Sequence, residues 1–368
     1  MTPIHARSES LHRRVRAIVQ AFERSRAAPE PFDALAADLV RFQAATVPGY
    51  RRLCLARGID PQAVVRAEQG PAVPTDAFRL ARVFAFAERD AAFVFRTSGT
   101  TLGARGSHAM RHTRTYDAAA LAFGRAMIAR DLTLPVPVVT IGPSVSEVPD
   151  SSLTHMYALF ARQFGPSRAV EMTFVHSGSL RVEALRECVA ALRPDVPVIV
   201  LSTSFALVHL LDALGAESLA LPARSRVVQT GGFKGRSREA SASELRQGVA
   251  RCFAVHERSV VGEYGMTELS SQFWEATLVD EGAAQGVYFE PPWARVVPVD
   301  PETLVPVSHG KIGIARIEDL ANVDSAWAVL TQDLVRRVAG GFEFIGRAAG
   351  APMRGCSIAL DEMLSASP

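Results

Sequence analysis

Serine, threonine and glycine dominate residues 97–106, which read Thr-Ser-Gly-Thr-Thr-Leu-Gly-Ala-Arg-Gly. Small residues let a loop fold tightly and bring backbone N–H groups close to an anion. The hydroxyl groups add donors, and Arg105 adds a positive charge with a planar fork of donors. The segment predicts a loop that grips phosphate or carboxylate oxygens, with an ordinary polar hairpin as the alternative.

Glu268 is a candidate ligand for a divalent cation. It ends the segment Met-Thr-Glu, which follows a probable strand and turn. A carboxylate near a phosphate loop makes chemical sense when Mg²⁺ bridges the two, because Mg²⁺ takes carboxylate and phosphate oxygens together. The alternative for this side chain is a surface ion pair.

Cys356 is the candidate nucleophile, in the segment Arg354-Gly-Cys-Ser near the end of the chain. A neighbouring arginine can lower the pKa of a thiol and so favour the thiolate, which is the nucleophilic form. His155 and His209 are candidate general bases for the thiol proton. The alternatives are a small buried side chain for the cysteine and satisfied helix positions for both histidines.

Four segments, in order along the chain, resemble motifs of the adenylate-forming superfamily, which includes acyl-CoA synthetases and peptide-synthetase adenylation domains. They are residues 97–106, 262–268, 330–334, and 346–347 followed by 354–357. A closer likeness is to the acyl-protein synthetases of the bacterial bioluminescence fatty-acid reductase complex. That likeness is carried by residues 74–78, 150–153, 204–212 and 230–236.

The resemblance implies a nucleotide or coenzyme A site. Its expected members are Thr97, Ser98, Gly99, Thr100, Thr101, Arg105, Gly231, Gly232, Tyr264, Thr267, Asp333 and Arg347. In the superfamily the matching Tyr264 and glycines lie by the adenine, Thr267 touches the α-phosphate, and Asp333 holds the ribose hydroxyls.

The same resemblance assigns the remaining roles. Glu268 would hold magnesium, and Cys356 fits the cysteine that carries the acyl group as a thioester. An acyl pocket is expected at Gly142, Phe205 and Gly265.

Two departures from the superfamily bear on the donor of the acyl group. Leu102 stands where the phosphate loop usually has glycine, and a branched side chain there could crowd a triphosphate. The sequence stops at Pro368, soon after the hinge-like motif, and Ala349 stands near the usual hinge aspartate. We therefore expect the C-terminal domain, whose lysine assists adenylation, to be missing, which favours acyl-CoA over ATP as the source of the activated acid.

The leading hypothesis is an acyltransferase that moves a fatty or aromatic acyl group from acyl-CoA or acyl-AMP through a Cys356 thioester to a thiol. The receiving thiol would be the phosphopantetheine of an acyl carrier protein or a partner enzyme. The first alternative is an ATP- and Mg²⁺-dependent ligase that adenylates a free carboxylic acid. The second is a non-catalytic subunit that only binds a partner.

The pattern of apolar residues predicts an α/β protein in three parts. Helical spacing in residues 1–75 predicts a helical cap, with apolar positions at Leu11, Val15 and Ile18. Strand-like runs alternate with helical stretches in residues 76–280, which predicts a parallel or mixed core sheet that binds ligands beyond the carboxyl ends of its strands. Short strands in residues 281–368 predict an antiparallel β subdomain. The resemblance to the adenylate-forming superfamily implies, more specifically, the fold of its N-terminal domain with mixed sheets.

Composition bounds the class of protein. The chain has 368 residues, of which 40 are basic and 38 acidic, and this near balance argues against broad binding to nucleic acid. The N-terminus has no signal-like apolar core, and no run approaches the ~20 apolar residues of a membrane span, so we expect a cytoplasmic protein. The four cysteines are scattered, which favours neither disulfides nor a cysteine metal site.

Overall fold

The structure is a computed structural model that describes residues 2–97, 105–166, 172–231, 241–348 and 354–364. It has the predicted α/β composition, with helices first and strands concentrated afterwards. Several predicted site residues lie outside the described residues: Ser98, Gly99, Thr100, Thr101, Leu102, Gly232 and Ala349.

The α-helices, in chain order, are α1 (Pro3–Glu23), α2 (Phe32–Thr46), α3 (Pro48–Ala56), α4 (Ala77–Leu80), α5 (Arg114–Gly124), α6 (Ser152–Phe164), α7 (Val182–Ala190), α8 (Ser204–Leu214), α9 (Ala242–Phe253) and α10 (Arg354–Leu364). Short 3₁₀ segments cover Ala67–Gln69, Glu88–Asp90 and Glu257–Ser259, and a π-helical segment covers Arg125–Ala129. Within the described residues, no helix combines the length and the apolar character that crossing a membrane requires.

The strands are β1 (Val73–Pro74), β2 (Phe93–Arg96), β3 (Ser107–Met110), β4 (Val138–Ile141), β5 (Met172–Thr173), β6 (Val175–His176), β7 (Ser179–Leu180), β8 (Ile199–Thr203), β9 (Arg226–Thr230), β10 (Val260–Tyr264), β11 (Phe273–Glu275), β12 (Val287–Phe289), β13 (Ala294–Val299), β14 (Ile312–Asp319), β15 (Ala328–Val338) and β16 (Gly341–Arg347).

The chain divides into two compact units. Unit 1 comprises Met1–Ala122, Met266–Gln272 and Phe289–Pro368, and unit 2 comprises Phe123–Gly265 and Phe273–Tyr288. The division into residues 1–75, 76–280 and 281–368 stays a prediction about domains.

The first helix of unit 1 shows why the periodicity was informative. Thr2 caps α1 by accepting a hydrogen bond from the backbone N–H of His5 at 3.2 Å, and a proline occupies the first turn. Leu11, Val15 and Ile18 are all at most 2% exposed, so the apolar stripe packs into the core as predicted.

Unit 1 also contains the predicted antiparallel strands. β13, β14, β15 and β16 pair antiparallel in that order, and the two-residue β1 pairs parallel with β15. Trp327 lies fully buried beside this sheet, and its indole N–H donates to the hydroxyl of Tyr50 at 2.8 Å. The sheet therefore rests on the N-terminal helices of the same unit.

Unit 2 is built around parallel strands, as predicted. Strands β10, β9, β8, β4 and β5 pair parallel in that order, and β11 joins the edge of β10 antiparallel. Alternate residues such as Val139, Val200 and Val227 share one hydrophobic cluster with Leu207 and Val249 of helices α8 and α9. The carboxyl ends of β4, β8, β9 and β10 consequently lie at one edge of the sheet.

Three local features surround the predicted motifs. Strand β2, which leads into the Ser/Thr/Gly loop, forms an antiparallel hairpin with β3, and Phe95 is the one residue of this strand that is fully buried. Asp333 lies inside the long strand β15. Residues 354–357, which resemble the hinge motif of the superfamily, begin helix α10.

Candidate functional site

The residues that flank the Ser/Thr/Gly loop, Thr97 before it and Arg105 and Gly106 at its end, lie in unit 1. Thr97 and Gly106 exchange hydrogen bonds: the Thr97 N–H donates to the Gly106 carbonyl at 2.9 Å, and the Gly106 N–H donates to Thr97 Oγ1 at 3.0 Å. Arg105 donates to the carbonyl of Thr97 at 2.6 Å and to that of Arg96 at 3.2 Å. These bonds close the mouth of the loop, as an anion-binding loop and a polar hairpin both require.

The turn that carries Thr267 and Glu268 is held by its backbone in unit 1. His108 Nδ1 donates to the Thr267 carbonyl at 2.8 Å, and Asn322 Nδ2 donates to the Glu268 carbonyl at 2.9 Å. Asp319 accepts from the backbone N–H groups of Ser270 and Ser271, both at 2.9 Å. With its carbonyls and N–H groups satisfied in this way, the turn presents its side chains from a fixed frame.

Asp333 and Arg347 face each other across β15 and β16. They are register partners, and Arg347 Nε lies 3.8 Å from Asp333 Oδ1. The carboxylate is 14% exposed and the guanidinium 65% exposed, so the arginine partly covers an otherwise sheltered carboxylate. The structure thus brings together these two predicted members of the nucleotide or coenzyme A site.

Cys356 lies in the first turn of α10 and is 4% exposed. Its Sγ contacts the carbonyl oxygen of Thr331 at 3.8 Å, two residues before Asp333 on β15. Burial raises the pKa of the Cys356 thiol to about 11, and the nearby charge of Asp76 adds to the rise. The expected effect of Arg354 on the pKa of this thiol stays a prediction, because the side chain of Arg354 lies outside the described residues.

Helix α10 is fixed to α3 at its far end. Arg57 on the C-terminal end of α3 pairs with Glu362 at 2.8 Å, and Arg52 donates to the Met363 carbonyl at 2.8 Å. The Gly355 N–H donates to the Pro301 carbonyl at 3.0 Å, next to the thiol. These contacts hold the sulfur in its buried position.

The other predicted residues lie in unit 2. Tyr264 ends strand β10 and packs its ring against Phe273 and Tyr288, with centroids 6.0 and 5.9 Å away. Gly265 follows it and is exposed. Gly231 follows β9 with a φ of +76°, a conformation that favours glycine.

The remaining acyl-pocket residues and the two histidines are also in unit 2. Gly142 follows β4 and is buried, while Phe205 at the start of α8 is 40% exposed. His209 lies one turn further on and contacts the Phe205 ring edge-on at 4.4 Å. His155 is half-buried on α6. The catalytic assignment of both histidines stays a prediction.

The structure adds polar residues that the motifs did not indicate. Glu263 is 4% exposed and accepts a hydrogen bond from the Thr230 hydroxyl, and burial raises the pKa of its carboxyl to about 7. His108 is likewise buried, which lowers the pKa of its imidazole to about 4. The sequence signal that could have identified Glu263 as a site residue is its position directly before Tyr264 of the motif.

Magnesium is compatible with the donors present. Glu268 is 8% exposed and supplies one carboxylate at the turn described above. Among the described residues, no three or more His, Cys, Asp or Glu side chains cluster as a metal site. A magnesium ion bound to nucleotide phosphates commonly takes only one or two protein carboxylates.

Comparison with solved structures identifies the fold. The chain is similar to 2-hydroxyisobutyryl-CoA ligase in an open conformation with 2-HIB-AMP and CoA, with TM-score 0.62, 15% identity, and coverage of 87% of this chain and 75% of the ligase. The same ligase in its thioesterification state gives TM-score 0.59 at 15% identity and covers 94% of this chain and 69% of its own. ATP-bound MatB from Rhodopseudomonas palustris gives TM-score 0.51 at 14% identity over 72% of this chain. The fold is therefore that of the adenylate-forming enzymes.

The present chain spans about half of MatB, 49% of its length. No curated protein sequence gives a significant match. A family model described as acyl-protein synthetase, LuxE, matches residues 31–365. Because this match covers most of the sequence, the chain belongs to the LuxE acyl-protein synthetase family.

Proposed function

We propose that this enzyme is an acyltransferase that holds an activated acyl group as a thioester on Cys356 and passes it to a second thiol. The donor is an acyl-CoA or an acyl-AMP, and the acceptor is a carrier-protein phosphopantetheine or a thiol of a partner enzyme. A carboxylic acid of fatty or aromatic type supplies the acyl group.

The position of the Cys356 sulfur carries this proposal. Sγ contacts the carbonyl of Thr331, and the same strand presents the Asp333 carboxylate two residues later, opposite Arg347. One strand of unit 1 therefore supports both the thiol and the proposed ribose-binding carboxylate. A nucleophile held against the strand that carries a nucleotide-binding group would be well positioned for transfer from an adenylyl-bearing donor.

The chemistry is two successive acyl transfers. In the first, the sulfur of Cys356 attacks the acyl carbonyl carbon, the new C–S bond forms, and the bond to CoA sulfur or AMP oxygen breaks, while the thiol proton leaves with a base or with the departing group. In the second, the acceptor sulfur attacks the thioester carbon, the new C–S bond forms, the bond to the Cys356 sulfur breaks, and the proton lost by the acceptor thiol returns to Cys356. Exchange between thioesters is nearly balanced in energy, so the reaction divides into two easy steps.

Burial of Cys356 sets a requirement on the first step. A thiol with a pKa of about 11 is protonated at neutral pH, so it must lose its proton during attack or after a local rearrangement. Asp76 is a charged group whose field reaches the thiol. Its carboxylate, His155 and His209 are the bases that we propose for testing.

The second candidate function is ATP-dependent activation of the free acid on the same chain. The turn that holds Thr267 and Glu268 supports it, because this turn supplies a carboxylate for magnesium beside a hydroxyl for the α-phosphate. The similarity of fold to ATP-bound MatB is a further support. In this case Cys356 would accept the acyl group from acyl-AMP made in place.

Intact-mass spectrometry tests the covalent step. The enzyme is mixed with a panel of acyl-CoAs, and separately with ATP, Mg²⁺ and the corresponding acids. We expect a single acyl adduct that disappears in Cys356→Ala. Cys54→Ala is the matched control, because Cys54 is also buried and burial also raises the pKa of its thiol to about 11. Adduct formation that survives Cys356→Ala would overturn the proposal.

The incubations with acyl-CoA and with ATP plus acid distinguish the two proposed acyl donors. An adduct from acyl-CoA alone supports the transferase. Pyrophosphate exchange that depends on the free acid supports the ligase, and its absence across the acid panel counts against it.

A further inference from the structure

Glu263 is a buried carboxyl for which the described residues supply little compensation. It lies in β10 directly before Tyr264 and is 4% exposed. Its neighbour on the adjacent parallel strand, Thr230, donates its hydroxyl to Glu263 Oε2. Among the described residues, no arginine, lysine or histidine forms an ion pair with it. A carboxylate removed from water without such a partner is expensive.

Glu275 on the adjacent strand β11 is a buried carboxylate whose charge is fully compensated by hydrogen-bond donors. Arg246 donates to both of its oxygens, at 2.6 and 2.7 Å, and the Gly262 N–H adds a bond at 2.7 Å. Two buried glutamates on neighbouring strands therefore differ sharply. Arg246 neutralises Glu275, whereas the side-chain donor recorded for Glu263 among the described residues is the neutral Thr230 hydroxyl.

Other groups around Glu263 are polar and similarly enclosed. Tyr157 of α6 is 4% exposed and donates its hydroxyl to the Ser202 carbonyl at 2.8 Å. Burial raises the pKa values of the Tyr157 and Tyr288 hydroxyls, and the charge of Glu263 adds to both rises, after that of Glu275 in the case of Tyr288. Together these residues form a polar cluster at the carboxyl ends of β8, β9 and β10.

That edge of the sheet is where open α/β sheets receive ligands. Gly231 directly follows Thr230, and a Cβ placed on it would meet no described atom within 4 Å. Gly142 follows β4 at the same edge, and a Cβ there would make only an ordinary contact with Thr140 at 3.4 Å. Uncrowded backbone at Gly231 and Gly142 therefore lies at the same sheet edge as Glu263, for which the described part of the chain records no ion pair.

We propose that Glu263 is a specificity-determining residue that selects acyl groups bearing an amino or hydroxyl donor. This inference rests on the proposed function, because it names the class of acyl group that the enzyme takes. An N–H or O–H on the acyl group adds a donor to the carboxyl, whereas an unsubstituted acyl group adds none to the Thr230 hydroxyl already bonded to it. A site built to bond a donor rejects the analogue that lacks it far more strongly than an apolar pocket rejects a missing methylene.

Equilibrium binding of matched acids tests the proposal. Isothermal titration calorimetry is run on the full chain carrying Cys356→Ala, which removes the covalent step, with 4-aminobenzoate against benzoate, 4-hydroxybenzoate against benzoate, 4-aminobutyrate against butyrate and 3-hydroxybutyrate against butyrate. We expect the donor-bearing member of at least one pair to bind about 10-fold tighter or more. Ratios near one in every pair, or binding of none of these acids, overturn the inference.

Glu263→Gln identifies the residue responsible. It keeps the size of the side chain and removes its charge, so we expect the preference for the donor-bearing acid to fall about 10-fold. An unchanged preference overturns the assignment. Glu318→Gln is the control, because Glu318 is a buried glutamate of unit 1 whose carboxyl pKa burial also raises. If Glu263→Gln does not fold by circular dichroism, the matched-pair ratios of the Cys356→Ala chain decide alone.

The outcome also stays separate from that of the proposed function. Binding preferences do not need the thiol, so failure of acyl transfer to Cys356 would leave them intact. Conversely, an acyl adduct that forms equally fast from paired donors with and without an amino or hydroxyl group would preserve the transferase and remove the role of Glu263.

Discussion

The Cys356 thiol lies close to a proposed nucleotide-binding residue, but in the resting enzyme it is in its unreactive, protonated form. It touches the strand that carries Asp333, yet its burial keeps it protonated at neutral pH. Catalytic cysteines usually lie in partly exposed, electropositive surroundings that favour the thiolate. The resting enzyme therefore protects this thiol from adventitious chemistry, and acyl transfer requires a proton acceptor or a local opening.

Chemical labelling of Cys356 should be slow in the native protein. A rise in pKa from 9.0 to about 11 lowers the thiolate fraction about 100-fold at neutral pH. We expect iodoacetamide to modify Cys356 at least ~100-fold more slowly than a free thiol at pH 7.5, with a rate that rises about 10-fold per pH unit. Peptide mapping of the four cysteines over time measures this. Labelling of Cys356 at the rate of an exposed thiol would contradict the buried resting state.

At the scale of elements, α10 determines whether the thiol is accessible. The helix has only 11 residues, so packing rather than propensity stabilises it. Met363 is fully buried, and a Cβ on Gly49 of α3 would meet its methyl carbon at 3.3 Å. The ion pair between Arg57 and Glu362 is partly exposed and contributes about 0–1 kcal/mol. The apolar contact is therefore the stronger tie.

Met363→Ala should release the helix and expose the thiol. Removing a fully buried methionine costs about 2–5 kcal/mol, and we expect most of it to appear as easier undocking of α10. Labelling of Cys356 should then accelerate at least 10-fold, while Cys252 in unit 2 keeps its rate. Leu364→Ala is the matched control, because Leu364 is on the same helix and 41% exposed. Equal acceleration by both variants would show that α10 is not held as the structure indicates.

Across the whole molecule, regular local patterns were sufficient for the fold class. The stripe of Leu11, Val15 and Ile18 predicts α1 because helical spacing is a property of the segment itself. The apolar runs that became β4 and β8 are equally local, since strands covered on both faces need little but apolar residues. The motifs predicted the superfamily because their order along the chain can be recognised from the sequence alone.

Features that depend on distant partners were not readable. The segment around Asp333 becomes a strand because β14 and β16 pair with it on both sides. Likewise, the burial of Glu263 and the raised pKa of Cys356 depend on what packs against them. The identity of a glutamate or cysteine in the sequence does not tell how deeply it will be buried. The raised pKa values of the Glu263 carboxyl and the Cys356 thiol were therefore not predictable.

Two of these buried groups also shape the stability of the molecule against pH, in opposite directions. Glu263 has a pKa of about 7 in the fold against 4.5 ordinarily, so the native state holds its proton longer and the free energy of unfolding falls as pH rises from 4.5 to 7. His108 has a pKa of about 4 against 6.5, so the unfolded state takes up the proton first and the free energy of unfolding rises from pH 4 to 6.5. At about 1.4 kcal/mol per pH unit, each contribution is about 3 kcal/mol, and in the wild type they nearly cancel.

Single substitutions should reveal the two opposite dependences of the unfolding free energy on pH that nearly cancel in the wild type. Relative to wild type, Glu263→Gln should gain about 3 kcal/mol of unfolding free energy between pH 4.5 and 7, because only the parent pays the growing cost of ionising that carboxyl. His108→Gln should lose about as much relative to wild type between pH 4 and 6.5, since only the parent gains from a neutral imidazole. Urea denaturation at several pH values measures both differences, with the exposed Glu281→Gln as a control whose difference stays flat. A flat difference for Glu263→Gln would mean that its carboxyl is hydrated or paired in solution, and the donor-selecting role proposed for it would lose its physical basis.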